Sequence, residues 1–215
     1  FPLGIANLTA KNVIGEQLSV TNNILTLQAS YMHADYSIGT IPQLADSPEA
    51  AKAGIINVPT TPASFLGLGG KLDYKHFLVI SEVGERKVGG QAGKQMPAYL
   101  GGYTTFGYQY HKWLPSITFA ALKTTNKDKV LDPSKIGDDF KTNPMITSQN
   151  SITAGLKYSI NDNMDVKGSV ERVYTHGGYG MFDGFRDGNG GDFNPSTAPV
   201  GKPVNIYQVS YDLTF

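Results

Sequence analysis

The charged residues of this chain recur at short, even spacings. Lys71 and Asp73 are two positions apart, as are Asp165 and Lys167, while Glu82 and Arg86, and Lys167 and Glu171, are four apart. Lys157 and Asp212 hold matching positions within alternating segments of their own. In an extended chain, even spacing puts side chains on one face. Opposite charges on a shared face either form ordinary ion pairs that pack a wall or set a transverse field in a water-filled space, tuning which solutes pass. Lys71, Asp73, Glu82, Arg86, Lys157, Asp165, Lys167, Glu171 and Asp212 are therefore the expected lining of a wet surface.

Covalent chemistry is not expected. A hydrolase needs Ser-His or Asp-His at one level of its wall. The four histidines are His33, His76, His111 and His176; two fall in short polar turns and two near long connections, so no cluster is predicted. The absence of cysteine excludes disulfides, thiol catalysis and Cys-ligated zinc. Asp183–Asp192 offers carboxylates and carbonyls to calcium. It lacks the Asp-x-Asp-x-Asp-Gly spacing and a closing Glu, so it reads as a plain loop, and no cofactor or metal is expected.

The elements that position these residues alternate with a period of two. Tyr207, Val209, Tyr211, Leu213 and Phe215 share one face of Asn205–Phe215, opposite Gln208, Ser210, Asp212 and Thr214. Ser151–Ile160 and Met164–Tyr174 repeat the pattern. Weaker versions surround Leu25–Tyr31, Leu66–Leu72, Leu100–Tyr110 and Trp113–Phe119, with further segments at Val13–Val20 and Phe77–Val88. About nine strands result, each of about the ten residues that cross a bilayer at a tilt. The apolar and aromatic face is expected to point outward.

Composition agrees with an all-β chain in one domain, residues 1–215. Gly 25, Tyr 12 and Phe 10 against a single Trp favour strands and Gly-rich turns over helices. Eighteen basic residues balance eighteen acidic ones, which gives no reason to expect nucleic acid. No apolar run approaches the length of a membrane-spanning helix, the longest being Phe77-Leu78-Val79-Ile80, so membrane residence requires strands. Phe1-Pro2-Leu3-Gly4-Ile5 carries no signal-peptide pattern, which reads as a leader already removed or a start in mid-protein.

The connections alternate in length. Tight turns are expected at Thr21–Asn23, Asp73–His76, Tyr110–Lys112 and Asn161–Asn163, and long stretches at Ser37–Ser64, Lys87–Met96, Thr125–Gln149 and Thr175–Pro203. Short and long connections then sit at opposite ends, as in outer-membrane barrels. A soluble β-sandwich would alternate too, but its Greek-key connections do not alternate short and long so regularly, and it would bury its apolar face. The fold predicted is an antiparallel transmembrane β-barrel. Asp46–Gly54 is a candidate short helix that either folds inward or stays in an outer loop. His76 and His111, beside Lys75, Lys112 and Trp113, suit a lipid-headgroup boundary.

Val209-Ser210-Tyr211-Asp212-Leu213-Thr214-Phe215 resembles the terminal strand of Gram-negative outer-membrane porin-like channels. Tyr108–Pro115 is similar to a strand, turn and strand of that family, and Asn150–Tyr158 with Asn161–Met164 to its penultimate hairpin. The resemblance implies the C-terminal portion of a barrel of about sixteen strands, assembled as a homotrimer in the bacterial outer membrane. It implies passive diffusion of small hydrophilic solutes, outer-membrane lipid around the wall, and barrel-assembly machinery that reads Tyr211, Leu213 and Phe215. The alternative is a non-conducting structural or adhesive barrel that binds partners through its long loops. Counting strand directions back from Phe215 sends Val13–Val20 from outside to periplasm, whereas bacterial barrels start upward. At least one upstream strand is thus expected outside these residues, and Asn205–Phe215 is expected not to pair with Val13–Val20.

Overall fold

A computed structural model describes residues 8–38, 58–90, 92–95, 97–130, 146–176 and 201–214. The alternating segments form nine strands: β1 (Leu8–Thr21), β2 (Leu25–Ile38), β3 (Val58–Tyr74), β4 (Phe77–Val88), β5 (Tyr99–Tyr108), β6 (Trp113–Thr124), β7 (Ser148–Asn161), β8 (Met164–Thr175) and β9 (Pro203–Leu213). Each pairs antiparallel with its sequence neighbours, in the order β1 to β9, as a single sheet. Helix among the described residues is limited to α1 (Ala92–Gln95) and a 3₁₀ turn at Lys127–Lys129. No helix of the described residues is long and apolar enough to cross a membrane.

The short turns are tight for local reasons. Lys75 (φ +56°) and His111 (φ +51°) open two-residue loops, where right-handed strand twist demands a positive φ. Asn22 Oδ1 accepts from the Ile24 and Leu25 amides at 2.9 and 2.7 Å, and Asn161 Oδ1 accepts from the Asn163 amide at 2.9 Å. Both side chains mimic a backbone turn. Asn22, His76, His111 and Asp162 thus lie at one end of the sheet. Backbone bonds link neighbouring turns there: the Asp73 amide donates to Ile24 O, Gln109 to His76 O, Ser159 to Lys112 O, and Thr214 to Asn163 O. Lys127 lies at the other end; Pro48, Asp187, Asp46–Gly54 and Asp183–Asp192 fall outside the described residues.

Several strands are longer than their alternation suggests. β3 begins at Val58, inside the stretch expected to be a loop, and runs through Pro59 and Pro62. Pro62 lacks a donor, yet its carbonyl still accepts from the Gly89 amide at 2.9 Å, so the ladder continues. Ser148 and Gln149 join β7, Thr175 joins β8, and Pro203 starts β9, whereas β4 coincides with the expected segment Phe77–Val88. In the other direction, Tyr110 leaves β5 and closes a hairpin onto Trp113 through two backbone bonds of 2.8 and 2.9 Å.

The register drifts steadily across the sheet. One lateral row runs Leu25, Leu72, Val79, Phe106, Ile117, Ala154, Val170 and Tyr207. Leu25 is the first residue of β2, but Val170 is six residues past Met164, the first of β8. At about 3.4 Å per residue and about 4.8 Å per strand, the strands incline about 35° to the perpendicular of the line of short turns.

Directly paired residues share a face, so the registers sort every strand position onto one of two faces. One face is apolar, with Leu18, Leu27, Leu68, Val83, Phe106, Ile117, Ile152, Leu156 and Val209. The other is mostly polar. Exposure alternates strictly along β6, where Trp113, Ile117 and Phe119 are exposed and Ser116, Thr118 and Ala120 half-buried. A flat sheet would open both faces equally, so the polar face is the concave one. Few apolar side chains are buried, among the described residues Ala34, Ala63, Ala92, Ala98, Val130 and Val173.

Candidate functional site

All nine charged residues singled out from sequence lie on the concave polar face. Lys71 and Asp73 share it in β3, Glu82 and Arg86 in β4, Lys157 in β7, Asp165, Lys167 and Glu171 in β8, and Asp212 in β9. The structure draws them into three groups and leaves Glu171 apart.

The first group sits by the short turns on β7, β8 and β9. Lys157 faces Lys167 directly, and Asp165 faces Asp212 directly. Like charges opposite one another are destabilising, and the diagonals resolve the conflict. Lys157 Nζ lies 2.9 Å from Asp165 Oδ2, and Lys167 Nζ pairs with Asp212 Oδ2. The second group is a pair within β3, Lys71 Nζ to Asp73 Oδ2 at 3.1 Å. About half of each side chain is exposed, so this pair contributes about 0–1 kcal/mol.

The third group occupies the middle and far part of β4. Tyr103 Oη donates to Glu82 Oε2 at 3.3 Å. Arg86 donates from Nη2 to Pro97 O at 2.7 Å, and its guanidinium lies 4.6 Å from the centre of the Tyr99 ring. Glu171 ends a lateral row of hydroxyls, Thr105, Thr118 and Thr153, in which Thr105 Oγ1 and Thr118 Oγ1 are 2.7 Å apart. Among the described residues Glu171 has no ion pair.

Arg86 also holds a shelf across the far end of this face. The helix α1, described together with Gly89, Gly90, Pro97 and Ala98 around it, lies against β2, β3 and β4. It covers Ala34, Ala63 and Thr61, all polar-face positions that are buried. Gly90 takes φ +53° directly above the Thr61 methyl, and a Cβ on Gly93 would stand 2.5 Å from Val88 O. Asn126 staples the segment from the next connection, accepting from the Ala98 amide at 2.8 Å and donating to Gly93 O at 3.1 Å. Within the shelf Ala92 and Gly93 are buried while Lys94 is exposed, so Lys94 projects away from the wall.

Tyr99, Tyr103, Lys94 and Asn126 were not anticipated. Parity carried a signal for the tyrosines, because they sit at odd positions when Leu100 and Phe106 define the apolar face. Nothing local marked Asn126 or the shelf.

The apolar face has borders. At its short-turn edge it carries Tyr74, Phe77, Tyr108, Trp113, Tyr158 and Tyr211. Ring centroids are 5.1 Å apart for Phe77–Tyr108 and 4.3 Å for Trp113–Tyr158. His76 stacks 5.7 Å from Tyr108, and His111 4.6 Å from Tyr110, in the turns just beyond. Charge begins on the opposite side in the row Glu16, Tyr31, Leu66, Glu85, Leu100, Lys123. Tyr211 and Leu213 lie on the apolar face, and Phe215 falls outside the described residues.

No protein-family model matches this chain, and neither a curated protein nor a solved structure was found to match it.

Proposed function

We propose that this chain is the C-terminal portion of a porin-type β-barrel in a Gram-negative outer membrane, passing small hydrophilic solutes by passive diffusion through a water-filled lumen. One observation carries the reading. The apolar face is the more exposed, convex one, and the charged face is the less exposed, concave one. A water-soluble sheet would do the reverse, because burying apolar area is its main source of stability.

Three features support it. The strand inclination of about 35° matches the tilt of roughly 35–45° that a closed transmembrane barrel requires. The uncharged stretch of the apolar face from Leu66 to Tyr74 measures about 27 Å along β3, or roughly 22 Å once tilted, near the height of a barrel's apolar band. The row of tyrosines and Trp113 beside it suits the boundary between acyl chains and headgroups.

The edges of β1 and β9 fit the same reading. Leu18 and Val20 on β1 are 69% and 65% exposed, and Tyr207 and Val209 on β9 are 75% and 81% exposed. In lipid a free edge costs several kcal/mol per unsatisfied backbone group, so further strands pair there. β1 and β9 run the same way, which makes direct closure parallel in an otherwise antiparallel sheet. Assembly as a homotrimer and recognition of the Tyr211–Leu213–Phe215 strand by the barrel-assembly machinery belong to the same proposal. Planar-bilayer recording of the full-length protein tests the function: discrete, ohmic conductance steps are expected, and an electrically silent inserted protein would overturn it.

A further inference from the structure

The charged border of the apolar face differs between its two halves. On β1 to β4 it carries both signs: Lys87 Nζ lies 2.8 Å from Glu85 Oε2, and Asp35 accepts from Asn12 Nδ2 at 2.7 Å and lies 3.5 Å from His33 Nε2. On β5 to β9 the same face holds only cations. The described carboxylates of those strands, Asp165, Glu171 and Asp212, are all on the other face. Lys123 and Arg172 are exposed on the apolar side and pair with no described carboxylate.

Lys123 and Arg172 share a patch with His176. Lys123 is paired with Ser148, and the His176 amide donates to Ser148 O at 2.7 Å. Lys123 and His176 therefore flank Ser148 two strands apart, about 10 Å at about 4.8 Å per strand. Arg172 is four residues before His176 on the same face of its strand, about 13 Å away. Its guanidinium lies 5.5 Å from the centre of the Tyr174 ring. Asn150 Nδ2 lies 3.3 Å from His176 Nε2, which holds the ring beside Asn150.

We infer that Lys123, Arg172 and His176 hold the phosphate of an anionic lipid headgroup at the long-connection border of the apolar face. The inference rests on the membrane reading and adds a partner to it. The guanidinium fork and the ammonium supply charged donors suited to phosphate oxygens. Tyr174 and Asn150 position two of the three groups, and the position at the upper limit of the apolar band is where a headgroup lies. The like charge that makes the patch unfavourable by itself is what an anion relieves.

The test reconstitutes the full-length protein in phosphatidylcholine vesicles with and without phosphatidic acid, and reads lipid retained by native mass spectrometry. Phosphatidic acid is expected to be retained over phosphatidylcholine. At about fivefold in affinity per cation beside anionic lipid, K123A/R172A loses roughly 25-fold, while K71A on the other face loses nothing. Retention unchanged in K123A/R172A, an equal loss in K71A, or displacement of the lipid by inorganic phosphate would each overturn the inference. Failure of the unaltered protein to insert in either vesicle sinks the membrane reading and this inference with it. Insertion without preference for phosphatidic acid sinks the inference alone.

Discussion

Lys157 bonds Asp165 across a diagonal of the sheet at 2.9 Å, although the residue directly opposite Lys157 is Lys167. The two lysines tolerate each other because Asp165 and Asp212 neutralise them from the neighbouring row. Asp165→Asn removes one of these anions and leaves two adjacent ammonium groups on the concave face. Ion preference should move toward anions, read as a shift of the reversal potential in a salt gradient. Thermal stability should change little. An unchanged or cation-directed reversal potential would show that this quartet does not face the conducting path.

Leu68 sits on the apolar face between the charged border and the aromatic edge. Leu68→Arg should lose about 1–3 kcal/mol of stability in lipid, because Leu68 lies one row inside the charged border and the cost of a cation on a barrel's outer wall falls from about 2–4 kcal/mol at mid-bilayer depth to about 0–1 at the interface. Thr118→Arg, on the polar face of β6, is expected to cost far less. Denaturant titration in bilayers compares them, and equal losses would contradict the assignment of faces.

Asn126 makes two hydrogen bonds to the shelf that lies across the polar face. Asn126→Ala should raise amide exchange at Ala98 by about tenfold, the equivalent of one hydrogen bond worth about 1.4 kcal/mol. Exchange in β7 should not change. Unaltered protection at Ala98 would mean that Arg86 and the backbone hold the segment without Asn126.

Gly90 is left-handed and lies against the Thr61 methyl. Gly90→Ala should cost roughly 1–2 kcal/mol for the backbone strain alone, plus the collision. Thr61→Ser keeps the hydroxyl and deletes the methyl, so in the double variant part of the loss should return while the strain remains. Additive effects of the two substitutions would argue that the contact is not tight.

Gln17 on β1 and Gln208 on β9 share the polar face at opposite edges of the sheet. Cysteines placed at both positions in the full-length protein should form no disulfide, since a Cα separation above about 7 Å cannot be bridged. Efficient crosslinking would show that these nine strands close on themselves.

Much of this architecture was legible locally. Side chains alternate along a strand whatever packs against them, so the parity of Leu66 and Leu68 against Lys71 and Asp73 could be read without a fold. The turns at Asn22 and Asn161 and the bounds of β4 are likewise set by neighbouring residues. The ends of β3 and β7 were not legible, because Pro59, Thr61 and Ser148 have turn-forming chemistry and become strand only when β2 and β6 offer a ladder. The choice of Asp165 as partner of Lys157, the shelf held by Arg86 and Asn126, and the steady drift from Leu25 to Val170 belong to tertiary structure alone. Each depends on the register between segments far apart in sequence. A slip of one residue in any pairing would turn that strand's charges to the opposite face, and only the assembled sheet excludes it.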